Sequence, residues 1–168
     1  MNDFEEFVRA RTPALLRSAY LLTGDQHAAE DLVQAALERT ALRWRRIDRG
    51  GGVDGYVRTV MYRLQVDRWR RRSYSAEQVT DAPPERAGGD PYTGADTRLA
   101  LRTALARLTP KQRAVLVLRF YEDLGEARTA EVLGCSVGTV KSQTHLALKR
   151  LRETSPELAH LLSEGALA

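Results

Sequence analysis

The 168-residue chain has a single cysteine, Cys135, and only three histidines, His27, His145 and His160. One thiol excludes a disulfide framework, and three scattered imidazoles leave no zinc-ligand spacing. No apolar run approaches the ~20 residues of a membrane span, so no membrane insertion is expected. The acidic start MNDFEEF is not that of a secretory signal. No segment shows the period-two alternation of a half-buried strand. No glycine-rich phosphate loop follows a strand, and no Ser/His/Asp or Cys/His set is spaced for catalysis. The expectation is a cytoplasmic, non-enzymatic protein with no metal and no cofactor.

The chain does carry charge in blocks. The net charge is only +4. Residues 1–75 hold 14 Lys/Arg against 10 Asp/Glu, residues 76–98 hold 2 against 5, and residues 99–155 hold 10 against 5. Two basic blocks are therefore joined by an acidic connector, an arrangement able to attract phosphate but equally compatible with simple solubility. The connector includes Pro83-Pro84, Gly88-Gly89 and Pro91 and lacks either hydrophobic period, which reads as a flexible linker. The division expected is 1–75 as a first domain, 76–95 as linker, 96–155 as a second domain and 156–168 as a short tail. The fold class is all-α, with two small helical domains.

Capping signals place the helices. Asp3 with Glu6 resembles a capping box. Thr12-Pro13 has the form of an N-cap followed by first-turn proline, predicting a short helix that gives way to another ending near Gly24. Asp25 opens a long helix to about Arg46. Ile47–Val53 reads as a loop, followed by a basic helix over Asp54–Arg72. Beyond the linker come Asp96–Arg107 and Thr109–Asp123, the latter opened by a Thr109…Gln112 capping box with Pro110 in its first turn.

The most specific stretch lies in Leu108–Glu153. Leu133-Gly134-Cys135-Ser136 has a glycine able to end one helix in the left-handed conformation and a serine able to cap the next. From Val137 onward, Val137, Val140, Thr144, Ala147, Leu148 and Leu151 form an apolar stripe. The opposite face carries Gly138, Thr139, Ser142, His145, Lys149 and Arg152. This is the pattern of a helix-turn-helix over Ala127–Arg152, whose second helix enters a DNA major groove; the plainer alternative is a helical hairpin with a solvated face.

Two further faces stand out. On the Asp25–Arg46 helix, a core stripe of Leu32, Val33, Ala36, Leu37, Thr40 and Trp44 opposes Asp31, Gln34, Ala35, Glu38 and Leu42. Apolar groups among carboxylates suit either a docking surface or a solvated face with one stray leucine. On the Asp54–Arg72 helix, Tyr56, Val57, Val60, Met61 and Leu64 form the core stripe. Tyr62, Val66 and Trp69 recur elsewhere, interleaved with Arg58, Gln65, Arg70 and Arg72. Rings that stack on unpaired bases beside guanidinium groups that hold phosphate suit single-stranded nucleic acid. The alternative is that Tyr62 and Trp69 pack inward and the arginines are solvated.

These residues resemble the extracytoplasmic-function (ECF) branch of the bacterial sigma-70 family, over nearly the whole chain. AAEDLVQAALER (Ala28–Arg39) resembles the region 2 helix that docks on the clamp helices of the polymerase β′ subunit. The resemblance thus implies core-polymerase contact by Asp31, Gln34, Glu38 and Leu42. DGYVRTVMYRLQVDRWRRR (Asp54–Arg72) resembles the helix beside the −10 element, implying −10 DNA contact by Arg58, Tyr62, Arg63, Gln65, Trp69 and Arg70. The Ile47–Val53 loop resembles the one that captures a flipped base. LTPKQRAVLVLRFYEDL opens a region 4-like block, whose first helices hold the β-flap tip. LGCSVGTVKS leads into a −35 reader with Ser136, Gly138, Thr139, Lys141, Ser142, Gln143, His145 and Lys149 on DNA.

The resemblance also implies promoter DNA, core RNA polymerase and an anti-sigma factor as partners of a chain that is monomeric when free. Arg63 stands where the family usually has asparagine, which alters base-specific −10 contact. Gln143 and Leu146 stand where arginines are frequent, and Leu146 gives up a phosphate contact while leaving an apolar group that can meet a thymine methyl. A weakened or altered −35 preference follows. No fused C-terminal regulatory domain is expected after the tail. The linker can extend about 70 Å at ~3.3–3.6 Å per residue, close to two turns of B-DNA at ~34 Å each. Rival readings are a stand-alone helix-turn-helix regulator on a palindromic operator and a protein-interaction adaptor without promoter function.

Overall fold

The computed structural model describes residues 3–47, 52–75 and 95–165. Of the loop expected over Ile47–Val53, residues 48–51 lie outside the described residues and Val53 already belongs to a helix; of the linker expected over 76–95, residues 76–94 lie outside them and Ala95 begins a helix. All regular structure among the described residues is helical. Backbone contacts divide the chain into two compact units, Met1–Arg70 and Arg71–Ala168.

In the first unit, α1 (Asp3–Thr23) and α2 (Gln26–Arg43) pack along each other, joined by Gly24 at φ +69 and Asp25. Asp25 caps α2, its Oδ1 accepting from Ala28 N–H at 2.9 Å. A 3-10 turn over Trp44–Arg46 follows, and α3 (Val53–Ser75) supplies the third wall. Leu15, Ala19 and Leu22 of α1, Leu32, Val33 and Ala36 of α2, and Val57, Met61 and Leu64 of α3 form the core. Trp44 packs on Phe4 and Phe7, with ring centroids 5.0 and 5.3 Å apart, anchoring the end of α2 to the start of α1.

The break expected at Thr12-Pro13 does not occur: α1 runs through it with Pro13 inside. Thr12 does not cap a new helix; its Oγ1 donates back to Val8 O at 2.6 Å. An interior proline costs ~3 kcal/mol or more. Continuing the helix buries Leu15 and Leu22 completely, and each buried leucine contributes about 1.5–3 kcal/mol. The packing outweighs the lost hydrogen bond.

The second unit contains α4 (Ala95–Ala106), α5 (Pro110–Leu116), α6 (Glu126–Leu133), α7 (Val137–Thr154) and α8 (Pro156–Gly165). The Thr109…Gln112 capping box forms in both directions. Ala114 through Leu118 are all buried, so α5 is the central helix of this unit. It does not remain α-helical to Asp123. It widens into a π-helical turn over Val117–Tyr121, where Glu122 N–H reaches Val117 O at 2.9 Å and Asp123 adopts φ +54. Residues 156–165, read from sequence as part of a tail, form α8. The helix follows Ser155 directly, starts at Pro156 and buries Ala159 against the unit.

Candidate nucleic-acid and docking surfaces

The helix-turn-helix is built by α6 and α7. Gly134 takes φ +65, and two hydrogen bonds close α6: Cys135 N–H to Ala130 O at 3.0 Å and Gly134 N–H to Glu131 O at 3.3 Å. This is the double-bonded Schellman ending, which satisfies carbonyls that α6 would otherwise leave open. Ser136 then caps α7, its Oγ accepting from Thr139 N–H at 3.1 Å. Val115, Ala130 and Val140 form a buried cluster across α5, α6 and α7, with Leu133 and Cys135 packed on it. The turn geometry and this cluster fix the angle at which α7 leaves the body of the unit.

Val140, Ala147 and Leu151 of α7 are buried. Its outward side exposes Gly138, Lys141, Ser142, His145 and Lys149, with Ser136 exposed at the cap and Thr139 and Gln143 half-buried. The expected −35 residues therefore lie along the solvent-facing surface and flanks of one helix. Lys141 Nζ is 3.7 Å from Glu126 Oε2, an exposed pair of little strength. Leu146, expected to give up a phosphate contact and to offer an apolar group to a thymine methyl, is exposed on the same face.

On α2, Asp31, Gln34, Glu38 and Leu42 are exposed and, at intervals of three and four residues, share one stripe. Gln34 Nε2 donates to Glu38 Oε1 at 3.2 Å. Leu42 is 87% exposed, an apolar side chain presented among polar groups.

The α3 face departs from expectation. Tyr62 is 1% and Gln65 5% exposed; both belong to the interior, and neither offers a ring or an amide to DNA. The reason is the width of the buried arc: Leu64, Val57, Met61, Gln65 and Tyr62 cover roughly 160° at 100° per residue, beyond a single apolar stripe. Arg58 is also committed to the fold. Its Nε donates to Asp54 Oδ2 at 2.8 Å and its guanidinium reaches Ser18 Oγ on α1 at 3.4 Å. Asp54 Oδ1 in turn lies 3.6 Å from Arg11 Nε. Arg63 and Arg70 are exposed and Trp69 is half-buried. Sequence reading passed over Tyr74, which is 89% exposed; an aromatic two residues after Arg70-Arg71-Arg72 was the available signal.

Among the described residues, no group of three or more His, Cys, Asp or Glu is placed to hold a metal ion. Among the same residues, no helix is long and apolar enough to cross a membrane.

Two family descriptions match the two halves: Sigma-70 region 2 over residues 7–74 and Sigma-70 region 4 over residues 98–151. The chain is 45% identical over 151 residues to the RNA polymerase sigma-E factor of Streptomyces coelicolor, covering 90% of this chain and 85% of that one. It is 35% identical over 150 residues to the ECF RNA polymerase sigma factor SigL of Mycobacterium tuberculosis, covering 86% and 84%. In fold it is similar to the sigma factor RpoE of Bartonella quintana, solved in complex with the anti-sigma factor NepR. That likeness has a TM-score of 0.66 at 23% identity and covers 91% of this chain and 96% of that one. The chain belongs to the ECF branch of the sigma-70 family. Its function is promoter-specific initiation of transcription as a sigma factor of RNA polymerase.

Proposed function

We propose that the three helical faces divide this work, with the exposed stripe of α2 docking on core polymerase, the exposed part of α3 engaging the opened −10 strand, and α7 reading the −35 duplex. The observation that carries the reading is the α6–α7 junction, where the Gly134 ending and the Ser136 cap leave a polar, cationic helix face outward. On α2, Leu42 with Asp31, Gln34 and Glu38 offers an apolar contact ringed by polar specificity, the arrangement of a docking spot. On α3, Arg63, Trp69 and Arg70 carry the −10 contact, and Tyr62 and Gln65 are not included.

Each small domain alone makes few phosphate contacts, and non-specific affinity is then only ~10⁻⁴–10⁻⁶ M at physiological salt. Docking on polymerase makes the second DNA contact effectively intramolecular, so affinity rises without new residues. The division of the chain at about 75 and 95 serves this arrangement. The protein acts in the cytoplasm, where bacterial polymerase works, and contributes binding rather than catalysis. An anti-sigma factor that covers the docking and DNA surfaces is the expected regulator.

Run-off transcription with core polymerase tests the reading. The chain is expected to direct initiation from defined promoters, and the Asp31→Ala/Gln34→Ala double substitution to weaken initiation while the protein stays folded. Tight operator binding by the free protein, unaffected by added core, would instead make it a stand-alone regulator.

A further inference from the structure

On the outward face of α7, His145, Lys149 and the half-buried Gln143 present polar groups, while the residues of its first turns are partly engaged within the protein. Ser136 Oγ is occupied by Thr139 N–H and lies 2.9 Å from Thr139 Oγ1. Ser142 Oγ donates to Thr139 O at 3.0 Å, spending its hydrogen within the helix. Gly138 has no side chain, and Lys141 lies beside Glu126. Leu146 follows Ser142 by one turn and is 45% exposed. Its neighbours at one-turn spacing on the exposed side are Ser142, Lys149 and Arg150, so no apolar residue of α7 shields it there.

A lone exposed leucine is ordinary on a protein surface. Here it occupies the face that the proposed −35 contact brings against a duplex. The major groove offers one apolar feature to such a side chain, the C5 methyl group of thymine. At 1.5 Å rise per residue, Leu146 stands about 6 Å along α7 from Ser142, on the order of two base-pair steps of ~3.4 Å. We infer that Leu146 is a specificity-determining residue, selecting a thymine in the −35 duplex by contact with its methyl group. This rests on the reading of α7 as the −35 helix. The contact discriminates against cytosine, which lacks the methyl. It carries no charge, so it adds sequence preference without adding to the salt dependence of binding.

Holoenzyme assembled from core polymerase and the full chain, offered duplexes randomised across the −35 region, tests it. The wild type is expected to enrich thymine at one position. Replacing that thymine by deoxyuridine, which removes only the methyl, should weaken binding about fourfold, the worth of one buried carbon. Leu146→Ala should bind the two duplexes equally and lose the thymine enrichment at that position alone. The substitution is at an exposed site and leaves the fold intact, which circular dichroism checks. Equal deoxyuridine sensitivity in wild type and Leu146→Ala overturns the inference. Ser142→Ala and Lys149→Ala, run in parallel, separate the two levels. If they alter binding and Leu146→Ala does not, only the thymine contact fails. If none of the three alters it, α7 is not the −35 reader and both readings fall.

Discussion

Arg58 Nε lies 2.8 Å from Asp54 Oδ2, one turn back on α3, and the same guanidinium reaches Ser18 Oγ on α1 at 3.4 Å. An arginine that the basic pattern of α3 assigns to DNA thus ties α3 to α1. With its side chain only 24% exposed, it has left much of the solvent it would need to exchange for phosphate. Arg58→Ala is expected to lower the stability of the first unit by about 1 kcal/mol, combining a partly screened ion pair with lost packing of the aliphatic stem. Asp54→Asn should cost a similar amount, and the two together less than their sum. Both tryptophans of the chain, Trp44 and Trp69, lie within Met1–Arg70, so urea unfolding followed by tryptophan fluorescence reports this unit. Unchanged stability with impaired promoter opening would return Arg58 to the DNA surface.

Tyr62 makes a sharper case. Its side chain is among the largest that are fully buried, and truncating a buried aromatic typically costs about 3–5 kcal/mol. Tyr62→Ala should therefore largely unfold the first unit, whereas Tyr62→Phe, which keeps the ring, should lose far less. The fluorescence midpoint in urea checks both. If Tyr62→Ala stays fully folded and loses only single-strand binding, the ring faces DNA after all.

The contrast between Tyr62 and Trp69 shows where sequence patterns stop being informative. Caps and turns are decided by a few adjacent residues, so Asp25, Thr109…Gln112, Gly134 and Ser136 could be read directly and adopt the expected roles. The exposed stripe of α2 was legible from helical spacing, since Asp31, Gln34 and Glu38 lie opposite the buried Leu32, Val33 and Ala36, with Leu42 as the one large apolar residue on the polar side. On α3 apolar and aromatic side chains go most of the way round, and only the packing against α1 and α2 decides that Tyr62 turns in while Trp69 remains half-exposed. Pro13 does not break the helix because Leu15 and Leu22, the buried leucines that override it, lie two and nine residues further along, where a break at Pro13 would displace them. The signal for α8 was present in Ser155-Pro156, but it follows α7 so closely that the segment read as a tail.

Gly134 is a test of the turn itself. A Cβ there would meet nothing within 4 Å, so any penalty comes from holding φ +65 rather than from a clash. Gly134→Ala should destabilise the second unit by about 1–2 kcal/mol, and Gly134→Asn by less, because asparagine tolerates the left-handed region. The second unit has no tryptophan, so fluorescence should be blind to the change while circular dichroism at helical wavelengths records an earlier transition. Equal stability of all three proteins would show that the left-handed turn is not required.

Lys149 separates electrostatic grip from base reading on α7. It is exposed on the same face as Leu146, and a lysine there contributes by displacing counterions from the phosphate backbone. Neutralising one phosphate contact lowers the slope of log affinity against log salt by about 0.9. Lys149→Ala in the holoenzyme should therefore weaken −35 binding at low salt, converge toward wild type as salt rises, and leave base preference unchanged. Leu146→Ala should do the reverse, altering preference with the slope intact. Binding measured on one promoter duplex across a salt series distinguishes them. An unchanged slope in Lys149→Ala would mean that this amine points past the phosphates, and that α7 lies in the groove at a different rotation from the one its exposed face defines.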